Sequence, residues 1–498
     1  MATLAQVKDP NRTKGGERGW RSNYALPLLA LFFLSLPLVN PWVRGDGIGY
    51  YAYIHSLLIH HNLNFEDEFR AGNTGFTMSR VDANGNLDSS LYTTTGHLGN
   101  HFTVGPSMLW APLLVPVHGV MLALQRAGFH VKPDGFSKPY IVAMAVATAL
   151  YGFIGLLLCY SIACRFVDRR WAFLATLGIW FASSLPVYMY FNPSWSHAHS
   201  VFAVSLFLWF WERTRRNRTL VQWIILGLLS GLMLDMYYPN VVVLIIPLFE
   251  SLRGYWRSLR PGSDWNAVGR LFGLNTLYCA STVLAFLPTL ITRNMIYGHF
   301  LTFGYDGETA WRWASPVLGA VLLSSDHGLL TWTPVLIPAL VGLVLFWKYD
   351  RELAPSVLVV VTTFCYLIAC YICWDGLSSF GNRFFISMTP FFVLGLSITL
   401  NELAIWMKSR QAAMRMAVPV ISFLILWNWA FIFQWGMHLI PVRGPISWRT
   451  MVANQFVVVP EEIVSHTRSY FGNRRALMQH IEQLDIKQMQ ARQNGAGR

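Results

Sequence analysis

Long apolar stretches recur along almost the whole chain, and they restrict its fold more than any other feature of the sequence. A helix needs roughly 20 apolar residues to cross the hydrocarbon core of a bilayer, which is about 30 Å thick. It also satisfies its backbone polar groups internally, as lipid requires. The sequence therefore predicts an all-α polytopic integral membrane protein with about eleven transmembrane helices. The candidate spans are 24–43, 139–164, 171–191, 197–211, 220–238, 240–252, 271–291, 329–347, 354–374, 384–406 and 413–434.

The small share of charged residues agrees with this class of protein. Charged side chains make up 13% of the chain, whereas an ordinary soluble domain carries about 25%. The formal net charge of +13 comes from short basic clusters between the apolar runs, which is typical of cytoplasmic loops. We therefore expect membrane lipids, and no nucleic acid, as partners. The six cysteines lie in or at the ends of predicted spans and are interpreted as packing residues.

The positions of the basic clusters predict the topology. Residues 1–23 form a basic N-terminus that we place in the cytoplasm. Segment 104–125 is apolar but rich in proline; if it crossed the membrane, the later basic loops would fall on the outer side. We therefore expect it to lie at the outer interface, in a first extracytoplasmic loop (45–138) that carries interfacial helices. Residues 24–434 then form the transmembrane domain, and the basic tail 435–498 is extracytoplasmic.

The unusual polar residues gather in the turns that this topology places outside. These turns carry acidic, histidine, arginine and aromatic side chains, whereas the cytoplasmic turns are merely basic. The asymmetry predicts a functional site that faces the extracytoplasmic side. The turns are 45–51, 66–68, 92–101, 192–199, 235–240, 325–328 and 374–383.

Asp46 and Arg383 are the two charged residues that we single out. Asp46 follows the first span between two glycines; a partly desolvated carboxylate there can take a proton from a hydroxyl as a general base, although Gly-Asp-Gly is also an ordinary turn sequence. Arg383 opens a late span, where its guanidinium can hold phosphate oxygens or simply reach the interface. We expect the two side chains to meet in one outer cavity.

The histidines of the outer turns allow two interpretations. His97 and His101 are four residues apart, and His197 and His199 are two apart, so either pair could ligate a metal. The sequence contains no H-E-x-x-H or comparable ligand set, which favours histidines that form hydrogen bonds in a polar pocket. We therefore assign no metal ligand, and a divalent metal ion remains an open possibility as cofactor.

Other outer residues are predicted to contact the substrate. Aromatic side chains in these turns can line a groove for a sugar or a prenyl chain, although Tyr and Trp also form interfacial belts. The residues predicted to bind substrate are Tyr50, Tyr51, Tyr92, His97, His101, His197, Asp326, His327, Asp375 and Arg383.

Several mechanisms lack their sequence signatures. No G-x-x-x-x-G-K-[ST] loop for ATP phosphates and no G-x-S-x-G nucleophile elbow occurs. Charged residues deep within the spans are few; Asp235 and Glu402 come nearest and lie towards span ends. A proton-relay transporter needs ionisable groups near the midplane, so that class is disfavoured.

The sequence resembles the GT-C superfamily of membrane glycosyltransferases that depend on polyprenyl-phosphate sugars, in the style of its protein-mannosyltransferase and aminoarabinose-transferase branch. Three features carry the resemblance: the acidic residue in Gly45-Asp46-Gly47-Ile48-Gly49-Tyr50-Tyr51 after the first span, the long outer loop, and Gly381-Asn382-Arg383-Phe384-Phe385 before a Pro390-containing apolar helix. The similarity of organisation covers about residues 20–435.

The resemblance implies an inverting sugar transfer outside the cytoplasm. By position, Asp46 resembles the catalytic acid of the first loop, and Arg383 resembles residues that contact the lipid phosphate. Many relatives have a second acid beside the first, whereas here the neighbours are glycines. Glu66, Asp67 or Asp88 would have to replace it, if a second acid is needed.

We therefore predict a hexosyl- or pentosyltransferase of GT-C type in the cytoplasmic (inner) membrane of the cell envelope. It would move a sugar from a polyprenyl-phosphate donor to a glycan, lipid or protein acceptor. A lipid or sugar transporter, or flippase, that binds such substrates without forming a bond is the first alternative. A membrane assembly factor without catalysis is the second.

Overall fold

The computed structural model describes residues 24–78, 80–82, 84–259, 265–302 and 310–496. Within these ranges the secondary structure is helical, and strand-like pairing is limited to isolated bridges such as Val81 with Leu87. The predicted all-α class is therefore confirmed. The predicted cytoplasmic segment 1–23 lies outside the described residues.

The main bundle consists of apolar helices that overlap the predicted spans, although several helices are shorter than the span or displaced from it. Five helices (Gly105–Arg126, Lys138–Ala163, Trp265–Tyr297, Arg383–Trp406 and Arg410–Gly436) are long and apolar enough to cross a membrane, and several shorter apolar helices accompany them. The chain is a multi-pass integral membrane protein; the number of crossings stays a prediction. The bundle helices are α1 (Ala25–Ser35), α6 (Lys138–Ala163), α7 (Arg169–Phe181), α8 (His197–Thr214), α9 (Leu220–Met236), α10 (Ile245–Ser258), α11 (Trp265–Tyr297), α14 (Leu336–Leu345), α15 (Ala354–Cys370), α16 (Thr389–Trp406) and α17 (Arg410–Gly436).

Three further groups of helices flank this bundle. The loop after α1 contains α2 (Asp46–His55), α3 (Glu66–Arg70), α4 (Thr74–Thr77) and α5 (Gly105–Arg126). The short helices α12 (Leu318–Leu323) and α13 (Leu329–Trp332) precede α14, and the tail forms α18 (Trp448–Phe456), α19 (Val458–Gly472) and α20 (Arg474–Ala496). We call the end of the bundle that carries Asp46 the site end.

Small residues let the bundle helices approach closely. Gly227 and Gly231 of α9 are four residues apart, and a Cβ on either would come within 2.4 Å of a backbone oxygen of α11. A Cβ on Gly342 of α14 would lie 1.7 Å from the carbonyl oxygen of Gly395 in α16. In lipid, where burial of apolar surface does not drive helices together, close packing of this kind holds a bundle.

The path of α5 bears on whether segment 104–125 crosses the membrane. Gly105 packs against the backbone of Asp235, at the site end of α9. His118 then hydrogen-bonds Tyr140 at the start of α6 (2.7 Å), and α6 runs from there towards Arg165, which pairs with Glu212 at the opposite end. The contacts of Gly105 and His118 therefore both lie in the half of the bundle that is nearer to the site end. Helix α5 is also long and apolar enough to cross a membrane, so its predicted interfacial position stays a prediction.

Arg293 of α11 fastens the outer loop to the bundle. Its side chain is 1% exposed, and its guanidinium donates to the carbonyl oxygens of Asn100, His101 and Phe102 at 2.6–2.8 Å. A buried guanidinium needs acceptors for most of its donors, and three successive carbonyls supply them. The chain just before α5 is thereby held against α11.

The C-terminal helices fold back over the site end. The Tyr470 hydroxyl donates to the carbonyl oxygen of Leu38 at 2.6 Å, and the Arg474 guanidinium donates to that of Val39. Both acceptors lie where α1 has just ended. The tail and Asp46 therefore share one end of the bundle, and the predicted extracytoplasmic side of the tail stays a prediction.

Candidate active site

Asp46 stands in the first turn of α2, where two glycines make its position possible. Gly45 has a φ of +53°, in the left-handed region that favours glycine, and its N–H donates to Asn73 Oδ1 at 3.1 Å. A Cβ on Gly47 would lie 1.9 Å from Ser194 Oγ, so only glycine fits there. Partial positive charge at a helix N-terminus favours a carboxylate such as Asp46.

Asp46 and Arg383 meet, as the sequence leads us to expect. Arg383 Nη1 lies 2.9 Å from Asp46 Oδ2, and the two side chains are 10% and 35% exposed. The guanidinium also lies over the ring of Trp195, 4.3 Å from its centroid. Arg383 opens a 3₁₀ turn, Arg383–Met388, that leads directly into α16. The site thus brings the end of the first span together with the start of a late one.

A second arginine, Arg80, lines the same cavity as Asp46, close enough for the two charges to interact. Burial lowers the pKa of Arg80, and the charge of Asp46 acts in the opposite direction. The Arg80 guanidinium lies 3.8 Å above the ring of Phe76 and donates to the backbone oxygen of that residue. Two guanidinium groups therefore lie around one carboxylate, which gives this part of the site an excess of positive charge.

Asp46, Arg80 and Arg383 open into a cavity of about 490 Å³. It is lined by charged side chains and by an apolar portion formed by the end of α17 and the C-terminal helices. The charged and titratable lining residues are Arg44, Asp46, Arg80, Arg383, His438, Arg443, His466 and Asp485. The apolar portion includes Leu38, Phe191, Trp429, Ile432, Phe433, Ile463, Tyr470, Phe471, Leu477, Met478 and Ile481.

The C-terminal tail supplies a second carboxylate to the cavity. Asp485 of α20 pairs with Arg44 and lies 3.1 Å from His438 Nε2. Burial alone would raise the pKa of Asp485, but His438 and Arg44 outweigh it and hold the pKa below its ordinary value. Glu66, Asp67 and Asp88, the acids considered from the sequence, do not line this cavity. Among the described lining residues, the acid other than Asp46 is therefore Asp485.

The three tyrosines predicted to bind substrate lie outside the cavity lining. The Tyr50 hydroxyl accepts a hydrogen bond from Ser196, and the Tyr51 hydroxyl donates to the carbonyl oxygen of Gly135 at 2.6 Å. Tyr92 donates to Glu66 at 2.8 Å, and this bond raises the pKa of Tyr92. These contacts join parts of the outer loop to one another and to the bundle, so substrate contact stays a prediction.

The predicted histidines are likewise not part of the lining. His97 contacts Thr95 Oγ1 through Nδ1 at 3.1 Å, and the His101 ring lies 4.0 Å from that of Phe102. Both belong to an irregular segment rather than to one helical face. His197 is buried beside the rings of Tyr188 and Trp195, directly behind the tryptophan that Arg383 covers.

Asp326, His327 and Asp375 form a cluster next to Arg383. One ligand atom from each of the three lies within 4.8 Å of the others, an arrangement that could hold a metal ion. Burial lowers the pKa of His327 to about 4, so its imidazole is neutral, and its buried Nε2 has no hydrogen-bond partner among the described residues. This donor set fits a divalent cation, although no metal ligand was assigned from the sequence.

Sequence reasoning missed Arg80, Arg44 and Asp485. Arg80 lies in a polar stretch of the outer loop, and Asp485 lies in a tail with no apolar run to mark it. The one available signal was the first outer loop itself, since long loops with mixed acids and aromatics are usually functional. Which arginine of that loop reaches Asp46 depends on tertiary packing.

No protein-family model matches the chain, and no curated protein matches it. The comparison of structures is informative instead, because a fold outlasts detectable sequence similarity.

The structure is similar to the archaeal oligosaccharyltransferase AglB from Archaeoglobus fulgidus in complex with an inhibitory peptide and a dolichol-phosphate, with a TM-score of 0.51 and 12% sequence identity. The match covers 85% of this chain and 59% of AglB, so the chain spans about six tenths of that protein. The structure of the apo A. fulgidus oligosaccharyltransferase matches with a TM-score of 0.45 and 13% sequence identity, and the match covers 89% of this chain and 55% of that chain. ArnT from Cupriavidus metallidurans in the apo state matches with a TM-score of 0.46 and 14% sequence identity, and the match covers 92% of this chain and 77% of ArnT.

The chain shares its fold with the archaeal oligosaccharyltransferase AglB. This assignment rests on the likeness to AglB, and at this level of identity the likeness concerns the fold alone. The resemblance noted in the sequence is thereby confirmed for the fold, and activity must be argued from the site.

Proposed function

We propose that the chain is an inverting glycosyltransferase that moves a sugar from a polyprenyl-phosphate donor to an acceptor hydroxyl on the extracytoplasmic side. The observation that carries the proposal is the pair of Asp46 and Arg383, 2.9 Å apart, in the wall of a cavity with a long apolar portion. A base, a phosphate-binding cation and an apolar groove are what such a reaction needs from a protein.

Asp46 serves as the general base in this proposal. The acceptor oxygen attacks the anomeric carbon while its proton passes to the Asp46 carboxylate. The bond between the anomeric carbon and the phosphate oxygen breaks, and that oxygen keeps the electron pair. The products are a new glycosidic bond with inverted configuration and a polyprenyl monophosphate. The donor is already activated, so no nucleotide is consumed.

Arg383 and Arg80 stabilise the negative charge that develops on the leaving phosphate. Charge-assisted hydrogen bonds from guanidinium groups suit phosphate oxygens, and they act most strongly when placed in advance where charge appears. Because Arg383 contacts Asp46 directly, an incoming phosphate competes with the carboxylate for the guanidinium. Donor binding would thus release Asp46 to act as a base.

The apolar portion of the cavity gives the prenyl chain a place to lie. It is lined by aromatic and aliphatic side chains of α17, α19 and α20. The dolichol-phosphate in the AglB complex is a ligand of this chemical class, which supports a polyprenyl-phosphate donor for the present chain. A divalent cation held by Asp326, His327 and Asp375 would supply further positive charge beside Arg383.

The test is sugar transfer by the purified full chain. The protein is incubated with radiolabelled polyprenyl-phosphate sugars and a membrane extract as the source of acceptors. We expect label in the acceptor fraction with the wild-type protein and its loss with Asp46→Asn. Asp67→Asn is the matched control, because Asp67 belongs to the same outer loop, is 71% exposed and does not line the cavity.

Two results would count against the proposal. Transfer retained by Asp46→Asn would remove the carboxylate from the role of base. Movement of labelled donor across a vesicle membrane, with no new glycosidic bond and no dependence on Asp46, would favour a flippase instead.

A further inference from the structure

A second cavity lies at the end of the bundle opposite to Asp46. Its volume is about 730 Å³, and it is lined by the end of α8, the second half of α10 and residues 349–352. Its lining contains five arginines and only three carboxylates. The arginines are Arg215, Arg216, Arg253, Arg257 and Arg351, and the acids are Glu250, Asp350 and Glu352.

Two of the three carboxylates are neutralised by arginines of the lining. Asp350 lies 2.6 Å from Arg215, and both side chains are largely buried. Glu352 lies 2.6 Å from Arg257. These pairs account for two of the five lining arginines.

The third carboxylate pairs with an arginine that does not line the cavity. Glu250 pairs with Arg218, which is 2% exposed, and accepts a hydrogen bond from Trp211 Nε1 at 2.6 Å. Arg218 also lies over the ring of Trp223, 4.4 Å from its centroid. All three acids of the cavity are therefore already paired with arginines.

The remaining arginines leave the cavity positively charged. Arg253 donates to the backbone oxygen of Glu352, a contact that does not neutralise its charge. Arg216 and Arg351 are exposed and have no hydrogen bond or ion pair with any residue that the structure describes. Three guanidinium groups thus line a walled space without an opposing carboxylate among the described residues.

Exposed tryptophans mark the depth of this cavity in the membrane. Trp256 of α10 and Trp265 of α11 are 70% and 72% exposed. Tryptophan favours the level of the lipid headgroups, where its apolar ring and its N–H are both accommodated. Arg253 and Arg257 flank Trp256 along the chain, and Arg216 and Arg351 line the same cavity, so these arginines lie at about the depth of lipid phosphates.

We propose that this cavity binds a phosphate group, held by Arg216, Arg253 and Arg351. Guanidinium groups match phosphate oxygens in geometry as well as in charge, and basic pockets between membrane helices bind anionic headgroups. The phosphate can belong to an anionic phospholipid of the adjacent leaflet or to a free phosphate compound. The site is separate from Asp46 and Arg383, so it neither requires nor supports the proposed sugar transfer.

The test compares two variants that lose equal charge at the same end of the bundle. Arg216→Gln/Arg351→Gln removes two cavity arginines that form no hydrogen bond or ion pair with described residues. Arg170→Gln/Arg415→Gln removes two exposed arginines near the starts of α7 and α17 that do not line the cavity. Native mass spectrometry of the full chain in neutral detergent measures retention of added dioleoyl-phosphatidylglycerol, with dioleoyl-phosphatidylcholine as the uncharged comparison and inorganic phosphate as a separate probe.

We expect the cavity variant to bind phosphatidylglycerol at least about tenfold more weakly than wild type, and the control variant to be unchanged. The same pattern with inorganic phosphate, and no preference for phosphatidylglycerol, would assign the site to a free phosphate compound. Equal weakening in both variants would mean that only general positive charge acts, and it would overturn the proposal. So would unchanged binding in the cavity variant. Sugar transfer, measured in parallel, reports on the other site.

Discussion

The guanidinium of Arg383 lies over the ring of Trp195, 4.3 Å from its centroid, while one of its nitrogens contacts Asp46. Stacking fixes the plane of the guanidinium, so its N–H groups point in defined directions. A lysine at this position would keep the charge but lose the planar guanidinium that lies over Trp195 and its fixed set of N–H donors. The contact therefore predicts that geometry, as well as charge, matters at position 383.

We expect Arg383→Lys to lower the rate of sugar transfer by about 10- to 100-fold, since charge-assisted hydrogen bonds contribute about 1.5–3 kcal/mol. Arg383→Gln should lower it further. The measurement is initial rate against concentration of the polyprenyl-phosphate donor. If Arg383→Lys has the rate of wild type at all donor concentrations, the predicted role of the guanidinium is wrong.

The position of Arg80 in the cavity leads us to expect that its loss weakens binding of the donor. Because its guanidinium lines the cavity near Asp46, we expect Arg80→Gln to raise the donor KM by about tenfold, the effect of losing one contact to a charged group. Arg70→Gln is the control: Arg70 lies in the same loop, is 42% exposed and does not line the cavity. Equal effects of the two substitutions would indicate a general loss of positive charge.

The spans and the pair of Asp46 and Arg383 could be predicted because both signals are local. Apolar length reports a membrane helix directly, and a charged residue at the end of a span is conspicuous in an apolar chain. The fold class and the presence of an outer loop with helices followed from the same pattern. Tyr50 and His197 were singled out in the same way, but both pack against neighbouring protein rather than against the cavity.

The rest depends on contacts between distant parts of the chain. Arg44 and Asp485 are 441 residues apart, and no local pattern indicates that a polar tail helix returns to the first span. Arg80 lines the cavity of Asp46 only through the packing of a loop whose short helices have few apolar residues. Contacts of this kind are set by tertiary structure, which propensity and periodicity do not describe.

We expect a side chain at position 47 to clash with Ser194, and a second substitution at position 194 to relieve the clash. A Cβ at this position would lie 1.9 Å from Ser194 Oγ and 2.4 Å from Ser194 Cβ, so Gly47→Ala must push α2 away from the 192–196 turn. We expect a destabilisation of about 1–3 kcal/mol, as for overpacked sites, measured by thermal unfolding in detergent. Adding Ser194→Gly to the same chain removes both clashing atoms and should restore most of the lost stability. If Gly47→Ala and the double variant are equally stable, the result contradicts this geometry.

The lowered pKa of Asp485 leads us to expect that docking of the tail depends on pH. Its pKa lies below the ordinary value of 3.8, because His438 and Arg44 outweigh the opposing effect of burial. A carboxyl with a lowered pKa in the folded state stabilises that state fully above its ordinary pKa, and the contribution is lost as the pH falls through the lowered value. Asp485→Asn should therefore speed hydrogen exchange in α20 at pH 6, and the difference from wild type should shrink towards pH 3.

Glu461→Gln is the control for this effect, because Glu461 is an exposed acid in the first turn of α19 and should change exchange in α20 little at either pH. Other carboxyl groups also titrate in this range, so the informative quantity is the difference between Asp485→Asn and wild type at each pH. A difference of constant size from pH 6 to pH 3 would mean that the charge of Asp485 does not hold the tail. The pairing with Arg44 would then be a consequence of docking by the apolar contacts of α19 and α20, since those contacts do not titrate.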